Sequence, residues 1–267
     1  MHMFDLSLFL YGLIIAVALP SLTWIVSIFK DDVSIVDSLW SLIFLGLCLT
    51  WFMAFEYTTL RSAAVLALVA LWALRLSAYI TWRNHGEGED TRYQAMRRKY
   101  SPNFTLKSLY IVFLLRGSIA LVVAIPLLAA ITGSRPLNLF DGLATALVLF
   151  GIAFESIADA QLAAFKARAG NHGRVMDKGL WRYTRHPNYF GECCVWWGFY
   201  LFAVAAGGWW TIFSPLLMTF LLLRVSGVAL LEKDIVVRRP GYREYIKNTN
   251  AFIPGIRKQA HNTVTQQ

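Results

Sequence analysis

Charge is scarce in this chain. Acidic and basic residues make up 15% of its 267 positions, against roughly a quarter in a soluble domain. That deficit excludes an ordinary water-facing surface and fits a chain dissolved in lipid. Cysteine is scarce as well: Cys48, Cys193 and Cys194 all lie inside apolar runs. An odd number of buried thiols excludes a disulfide framework. The histidines (His2, His85, His172, His186, His261) are scattered, with no His-x-x-x-His and no Cys-x-x-Cys. No metal site is therefore expected. There is no internal repeat and no legible Ser-His-Asp or Cys-His arrangement. The glycines of the loop 83–93 follow no strand, so they make no Rossmann fingerprint.

What is present is apolar: 57% of the residues are hydrophobic. Seven apolar segments emerge, at 8–29, 34–55, 61–82, 108–132, 138–165, 189–207 and 210–232. Most can cross a ~30 Å hydrocarbon core at about 1.5 Å per helical residue. The predicted fold class is all-α, an integral membrane bundle of seven transmembrane helices. Pro20, Pro126 and Pro215 are expected to kink theirs. The first segment reads as an uncleaved span: it is long, and no small-residue cleavage site follows Leu19-Pro20 cleanly. A single domain over 1–258 is expected, with a substrate-side part (1–135), a cofactor-side part (136–258) and a polar, disordered tail (259–267).

The net charge is +9. Its basic residues cluster at Arg83–Lys107, Lys166–Arg185 and Arg238–Lys258. Seven spans put these three stretches on one face of the membrane. The positive-inside rule then makes that face cytoplasmic, with the N-terminus outside and the C-terminus cytoplasmic. The same rule explains the basic balance without nucleic acid.

The densest polar stretch is Gly179–Glu192, which holds Arg182, Arg185, His186, Asn188 and Glu192 at the mouth of an apolar segment. Such groups are costly there unless they bind something. Arg174, Lys178, Arg182 and Arg185 suit phosphate. Asn188 and Glu192 lie one helical turn apart, and Trp196 continues their face; they could read a carboxamide or ribose and stack on a flat ring. Just upstream, Glu155 and Asp159 share a helix face, and Lys166 follows two turns later. Helix ends with snorkelling cations explain Lys166 but not the two acids.

Earlier in the chain, Asp37 and Arg75 sit inside apolar runs, as a functional pair of charges or a structural ion pair. Tyr79 shares the face of Arg75, with Trp72 one turn before. The loop 83–93 reads as a solvated loop or as a lid over a phosphate, with Arg83 its contact. Arg224, deep in the last segment, needs a partner, either a ligand or a carboxylate such as Glu232.

These residues resemble the C-terminal membrane domain of the steroid 5α-reductase family, especially its bacterial relatives of unknown function. The likeness runs from about Glu155 to Pro254. It is carried by Asp159, Leu162, Lys166, Arg174, Gly179-Leu180, Asn188, Gly191-Glu192 and Trp196, then by Arg224 and the tyrosine-to-Pro254 tail, and on the third helix by Arg75 and Tyr79. The resemblance implies a seven-helix bundle that binds NADPH from the cytoplasmic side, in the inner membrane of a bacterium. Its cofactor contacts would be Arg75, Tyr79, Arg83, Glu155, Asp159, Lys166, Arg174, Asn188, Glu192, Trp196 and Arg224. Lys166 stands where the family has arginine, and Glu155 where it often has asparagine. The implied reaction reduces the activated C=C bond of an apolar substrate, such as a 3-oxo-Δ4 steroid, entering a monomer from the bilayer. The family's acid pair is a glutamate and a tyrosine; here Asp37 and Trp72 fall nearest. An indole N–H donates a hydrogen bond but cannot protonate anything.

A rival resemblance starts from Arg185–Gly191. Its Arg-His-Pro-x-Tyr-x-Gly run is similar to that of isoprenylcysteine carboxyl and phospholipid methyltransferases, which use S-adenosylmethionine. Glu232 and Tyr245 would complete such a site. A non-catalytic lipid or sterol binder would leave the polar cluster unexplained.

Overall fold

The computed structural model describes residues 5–225, 232, 235, 236, 239 and 241–257, and among these there is no strand. Six helices are long and apolar enough to cross a bilayer: Leu6–Lys30, Ile35–Ala54, Leu60–Asn84, Phe104–Val123, Leu139–Lys166 and Pro187–Ala206. The chain is an all-helical membrane protein. The expected seventh span, 210–232, is described continuously only to Val225. Trp209–Val225 is apolar but short, a 310 turn, the helix Phe213–Phe220 and a π-helical turn Leu221–Val225. Residues 226–231 of that expectation, and the tail 259–267, lie outside the described residues.

The described chain forms two compact units, residues 1–142 with 199–214, and 143–198 with 215–267.

In the first unit, α1 (Leu6–Lys30), α2 (Ile35–Ala54) and α3 (Leu60–Asn84) pack in chain order. Each starts where its sequence offers a cap or a turn. The Asp5 carboxylate accepts from the amides of Ser7 and Leu8, and Thr59 with Ser62 closes a capping box. The Trp51 indole lies against Gly12 and donates to the Leu8 carbonyl at 2.8 Å. Ser41 donates to the Ala73 carbonyl at 2.8 Å. The stretch predicted as a loop after α3 instead contains a short helix, α4 (Thr91–Lys99), capped by Asp90. Its signal was an N-cap aspartate ahead of a polar helix-forming run.

The chain then re-enters the apolar layer through α5 (Phe104–Ser108), a π-helical turn (Leu109–Leu114), α6 (Leu115–Val123) and α7 (Ile125–Thr132). Pro126 in the first turn of α7 accounts for the break at Ala124. Pro20 acts differently. Lacking an N–H, it leaves the Ala16 carbonyl, four residues back, without its helical donor. That carbonyl faces Gly117 of α6 so closely that a Cβ there would overlap it. Gly117→Ala is therefore expected to lose about 1–3 kcal/mol through overpacking, read as a lower melting midpoint in detergent. An unchanged midpoint would contradict this packing.

In the second unit, α8 (Leu139–Lys166) and α9 (Pro187–Ala206) meet along a ridge of small residues. A Cβ on Gly151 would lie 2.6 Å from the Gly191 carbonyl. One on Gly191 would lie 2.8 Å from the Glu155 amide, and one on Gly198 3.0 Å from the Val148 amide. This spacing lets the two backbones touch, as small residues do between membrane helices. α9 begins at Pro187, a residue suited to the first position of a helix. The short helices α10 (Phe213–Phe220) and α11 (Tyr242–Asn248) follow.

Candidate functional site

The α8–α9 contact carries most of the expected site residues of the second unit. Glu155 sits one turn beyond Gly151, and Glu192 next to Gly191. Glu155 and Asp159 on α8 and Glu192 and Trp196 on α9 are all buried. Asn188, one turn before Glu192, is half-buried. Lys166 ends α8 and is exposed, as are Arg174 and Arg182 in the connection to α9. Carboxylates and an amide are thus held inside, while cations line the water-side end. Arg224 lies exposed in the π-helical turn Leu221–Val225.

The connection between α8 and α9 is tied down by its own motif. Gly179 adopts a positive φ of 59°, where a side chain would be strained and would collide with Gln161. The Gln161 amide oxygen accepts from the Leu180 N–H at 2.9 Å. The Trp181 indole donates to the Ala158 carbonyl at 3.0 Å. Gly179, Leu180 and Trp181 therefore work as an anchor on α8.

Arg185 and His186 turn towards the C-terminal segment. Arg185 donates through Nε and Nη2 to the Glu232 carboxylate at 2.6 and 3.1 Å, and through Nη1 to the Ile246 and Thr249 carbonyls. His186 Nε2 lies 3.0 Å from the same carboxylate, and its ring stacks on Tyr189 at 5.6 Å. Burial alone would raise the Glu232 carboxyl, but the His186 and Arg185 hydrogen bonds hold it below its ordinary range. The Tyr245 hydroxyl donates to the Trp181 carbonyl, and burial pushes both Tyr242 and Tyr245 upward. Sequence reasoning named Glu232 and Tyr245 for the rival reading, and Glu232 also as a candidate partner of Arg224. Their pairing with a motif more than forty residues away has no local signal.

In the first unit the expected residues separate into two groups. The Tyr79 ring has the Arg75 and Arg83 guanidiniums each 5.8 Å from its centre. Arg83 lies on α3, and residues 91–93 of the supposed lid belong to helix α4. Trp72 is fully buried, edge-on to Phe44 at 5.7 Å.

Asp37 stands in the first turn of α2, because the helix starts at Ile35. It is therefore shallower than an acid inside a span. The structural alternative of an Asp37–Arg75 pair gives way to a different set of partners. Arg92 Nη2 lies 2.9 Å and Arg116 Nη2 2.6 Å from the Asp37 carboxylate. The Tyr93 hydroxyl donates to it at 2.7 Å and accepts from Arg116 at 2.6 Å. Burial moves the Tyr93 phenol above its ordinary range, while Arg116 opposes the rise. Burial disfavours the charge of Arg92, yet Asp90 and Asp37 hold its guanidinium above the ordinary range. Arg92, Tyr93 and Arg116 were missed as partners of Asp37 because they come from α4 and α6.

No group of histidine, cysteine and carboxylate able to hold a metal ion occurs among the described residues. A family described as "Protein of unknown function (DUF1295)" matches residues 23–249. An uncharacterized protein of Schizosaccharomyces pombe is 28% identical, over 92% of this chain and 79% of its own length. No solved structure matches.

Proposed function

We propose that this chain, which belongs to the DUF1295 family, is an NADPH-dependent membrane reductase of an activated C=C bond in an apolar substrate, with a 3-oxo-Δ4 steroid the best chemical fit. The observation that carries the reading is the α8–α9 contact. It buries Glu155, Asp159, Glu192 and Trp196 and leaves cations at its watery end. Buried carboxylates suit ribose hydroxyls, an amide suits a carboxamide, and exposed cations suit phosphates. The donor set therefore fits a dinucleotide, which supplies hydride when bound. Asn188, Glu192 and Trp196 would orient its nicotinamide end, and Asp159 and Glu155 its ribose. Lys166, Arg174 and Arg224 would meet its charged groups. In the first unit, the Arg75–Tyr79–Arg83 stack is assigned to cofactor binding from the 5α-reductase resemblance. Clustered loop cations support a cytoplasmic site.

Reduction also needs a proton for the developing enolate. Asp37 is kept from the expected acid pair, and Tyr93 is preferred to Trp72. A phenol can give up a proton, which an indole N–H cannot. Arg116, bonded to the Tyr93 oxygen, would stabilise the phenolate left behind.

A second reading, methyl transfer from S-adenosylmethionine, draws on the meeting of Arg185, His186 and Glu232 in one cluster beside Tyr245. One experiment separates the two. Purified protein is heated with NADPH, NADH or S-adenosylmethionine. A ligand at 100 times its Kd adds about 2.7 kcal/mol to stability, so NADPH is expected to raise the melting midpoint clearly. Stabilisation by S-adenosylmethionine alone would reverse the choice. Asn188→Ala or Glu192→Ala is expected to abolish NADPH-dependent turnover with folding retained. Full activity in either variant would remove this placement.

A further inference from the structure

We infer that the C-terminal end of α4 and the start of α5 bind the phosphate of an anionic phospholipid, through Lys99, Lys107 and Arg98. The inference is independent of the proposed reaction. It rests on where charge is left over once the internal pairs are counted. Around α4 the acids that form ion pairs take Arg92 and Arg97: Arg92 pairs with Asp37 and Asp90, and Arg97 with Glu89 and Asp31. Arg98, Lys99 and Lys107 pair with no acid among the described residues.

Their side chains are not scattered. The Lys107 ammonium donates to the Tyr100 carbonyl at 3.0 Å, and that of Lys99 lies 5.2 Å from the Tyr100 ring centre. One tyrosine thus gathers two ammonium groups. Arg98 is exposed beside them. The α4 face opposite is already used, because Tyr93, Met96 and Tyr100 pack into a core with Val33, Phe104 and Phe113. The cations are therefore presented outward by a helix that cannot turn over.

The level in the membrane is set by their neighbours. Lys107 lies within the span Phe104–Val123, between the exposed apolar Leu106 and the exposed Tyr110. Trp24 of α1 donates its indole N–H to the Thr105 carbonyl at 2.8 Å. Tryptophan and tyrosine mark the headgroup layer. Unpaired cations at that level, beside lipid-facing apolar side chains, meet a phosphate carried on acyl chains. A plain role in offsetting the α4 helix dipole would account for Arg98 and Lys99. Lys107 joins that role through its bond to the Tyr100 carbonyl at the end of α4, but the role does not account for its place beside the exposed Leu106 and Tyr110.

The test uses full-length protein in a neutral maltoside detergent, titrated with phosphatidylglycerol, phosphatidylcholine or inorganic phosphate. Phosphatidylglycerol is expected to raise the melting midpoint, and 0.5 M sodium chloride to suppress the rise by screening. Each cation removed should weaken the apparent affinity roughly fivefold. The double variant K99Q/K107Q is then expected to lose about 25-fold by the same rule. If it fails to fold, R98Q and the salt response of the unmodified protein decide. An equal rise with phosphatidylcholine, a rise with inorganic phosphate alone, or phosphatidylglycerol affinity unchanged in R98Q and insensitive to salt would each overturn the proposal.

Discussion

Arg185→Met is expected to cost about 3–5 kcal/mol and to expose residues 241–257 to protease. Arg185 is buried, and its guanidinium is the partner of Glu232 as well as the donor to two carbonyls of the C-terminal segment. Methionine fills the space but offers no donor. Among the described residues Glu232 would keep only His186, and the Ile246 and Thr249 carbonyls would lose a charged partner. The penalty is mainly that of polar groups left without partners, not the intrinsic strength of the bonds. Acid should act on the same lock. The Glu232 carboxyl is held below its ordinary range in the folded chain. Its contribution is therefore complete above the unfolded glutamate range and is lost as pH falls through the lower, folded value. Proteolysis of the segment is expected to rise only under acid conditions in the unmodified protein, and at neutral pH in Arg185→Met. Equal resistance of the two at neutral pH would show that the segment is held by other contacts.

Arg61→Met is the second large effect, again about 3–5 kcal/mol. Arg61 is 1% exposed and serves four acceptors. Nε and Nη2 reach Asp141 at 2.7 and 2.9 Å, and the Arg135 and Pro136 carbonyls accept at 2.7 and 3.0 Å. The pair ties the start of α3 to the first turn of α8, where Asp141 also accepts from the Asn138 amide at 2.9 Å. Removing the arginine takes the bidentate cation away from a buried carboxylate. Replacing both partners, as in Arg61→Met with Asp141→Leu, should recover much of the loss, because no charge is then left unpaired. The midpoints of the two variants in detergent check this. A double variant no more stable than the single one would mean that the carbonyl contacts carry the energy.

The Arg61 cluster was not legible in the chain, and the Arg185 cluster only through the rival resemblance, which set Glu232 and Tyr245 beside Arg185–Gly191. Arg61 and Asp141 each sit at the end of an apolar run, where a charge needs no explanation. Their separation of 80 residues carries no spacing rule. The partners of Asp37 were hidden for a related reason. Arg75 was the obvious candidate because it shares the apolar context. The carboxylate instead meets Arg92, Tyr93 and Arg116 because α2 begins at Ile35 and puts Asp37 at the boundary. Trp72 looked placed for chemistry by its register with Arg75, yet that register turns it into the core against Phe44. By contrast, the start of α9 at Pro187 and the shared face of Glu155 and Asp159 were readable. Proline position and helical spacing are local rules, and nothing in the tertiary fold overrides them.

The last segment shows the same limit. Hydropathy counts it as a seventh span, but hydropathy does not see that Gly207 and Gly208 lead into a 310 turn, a short helix and a π-helical turn up to Val225. The sequence by itself determined that the chain is helical and lives in a membrane, because lipid tolerates few other ways of satisfying a backbone. It also determined where polar groups concentrate, including the stretch from Gly179 to Glu192. Only the tertiary structure decided which of those groups face each other. Arg185 and His186 close on Glu232, while Glu192 and Trp196 are buried at the glycine contact with α8. The reason is physical: periodicity specifies the face of each helix, but a partner on another element is chosen by packing, and packing is not written at any single position.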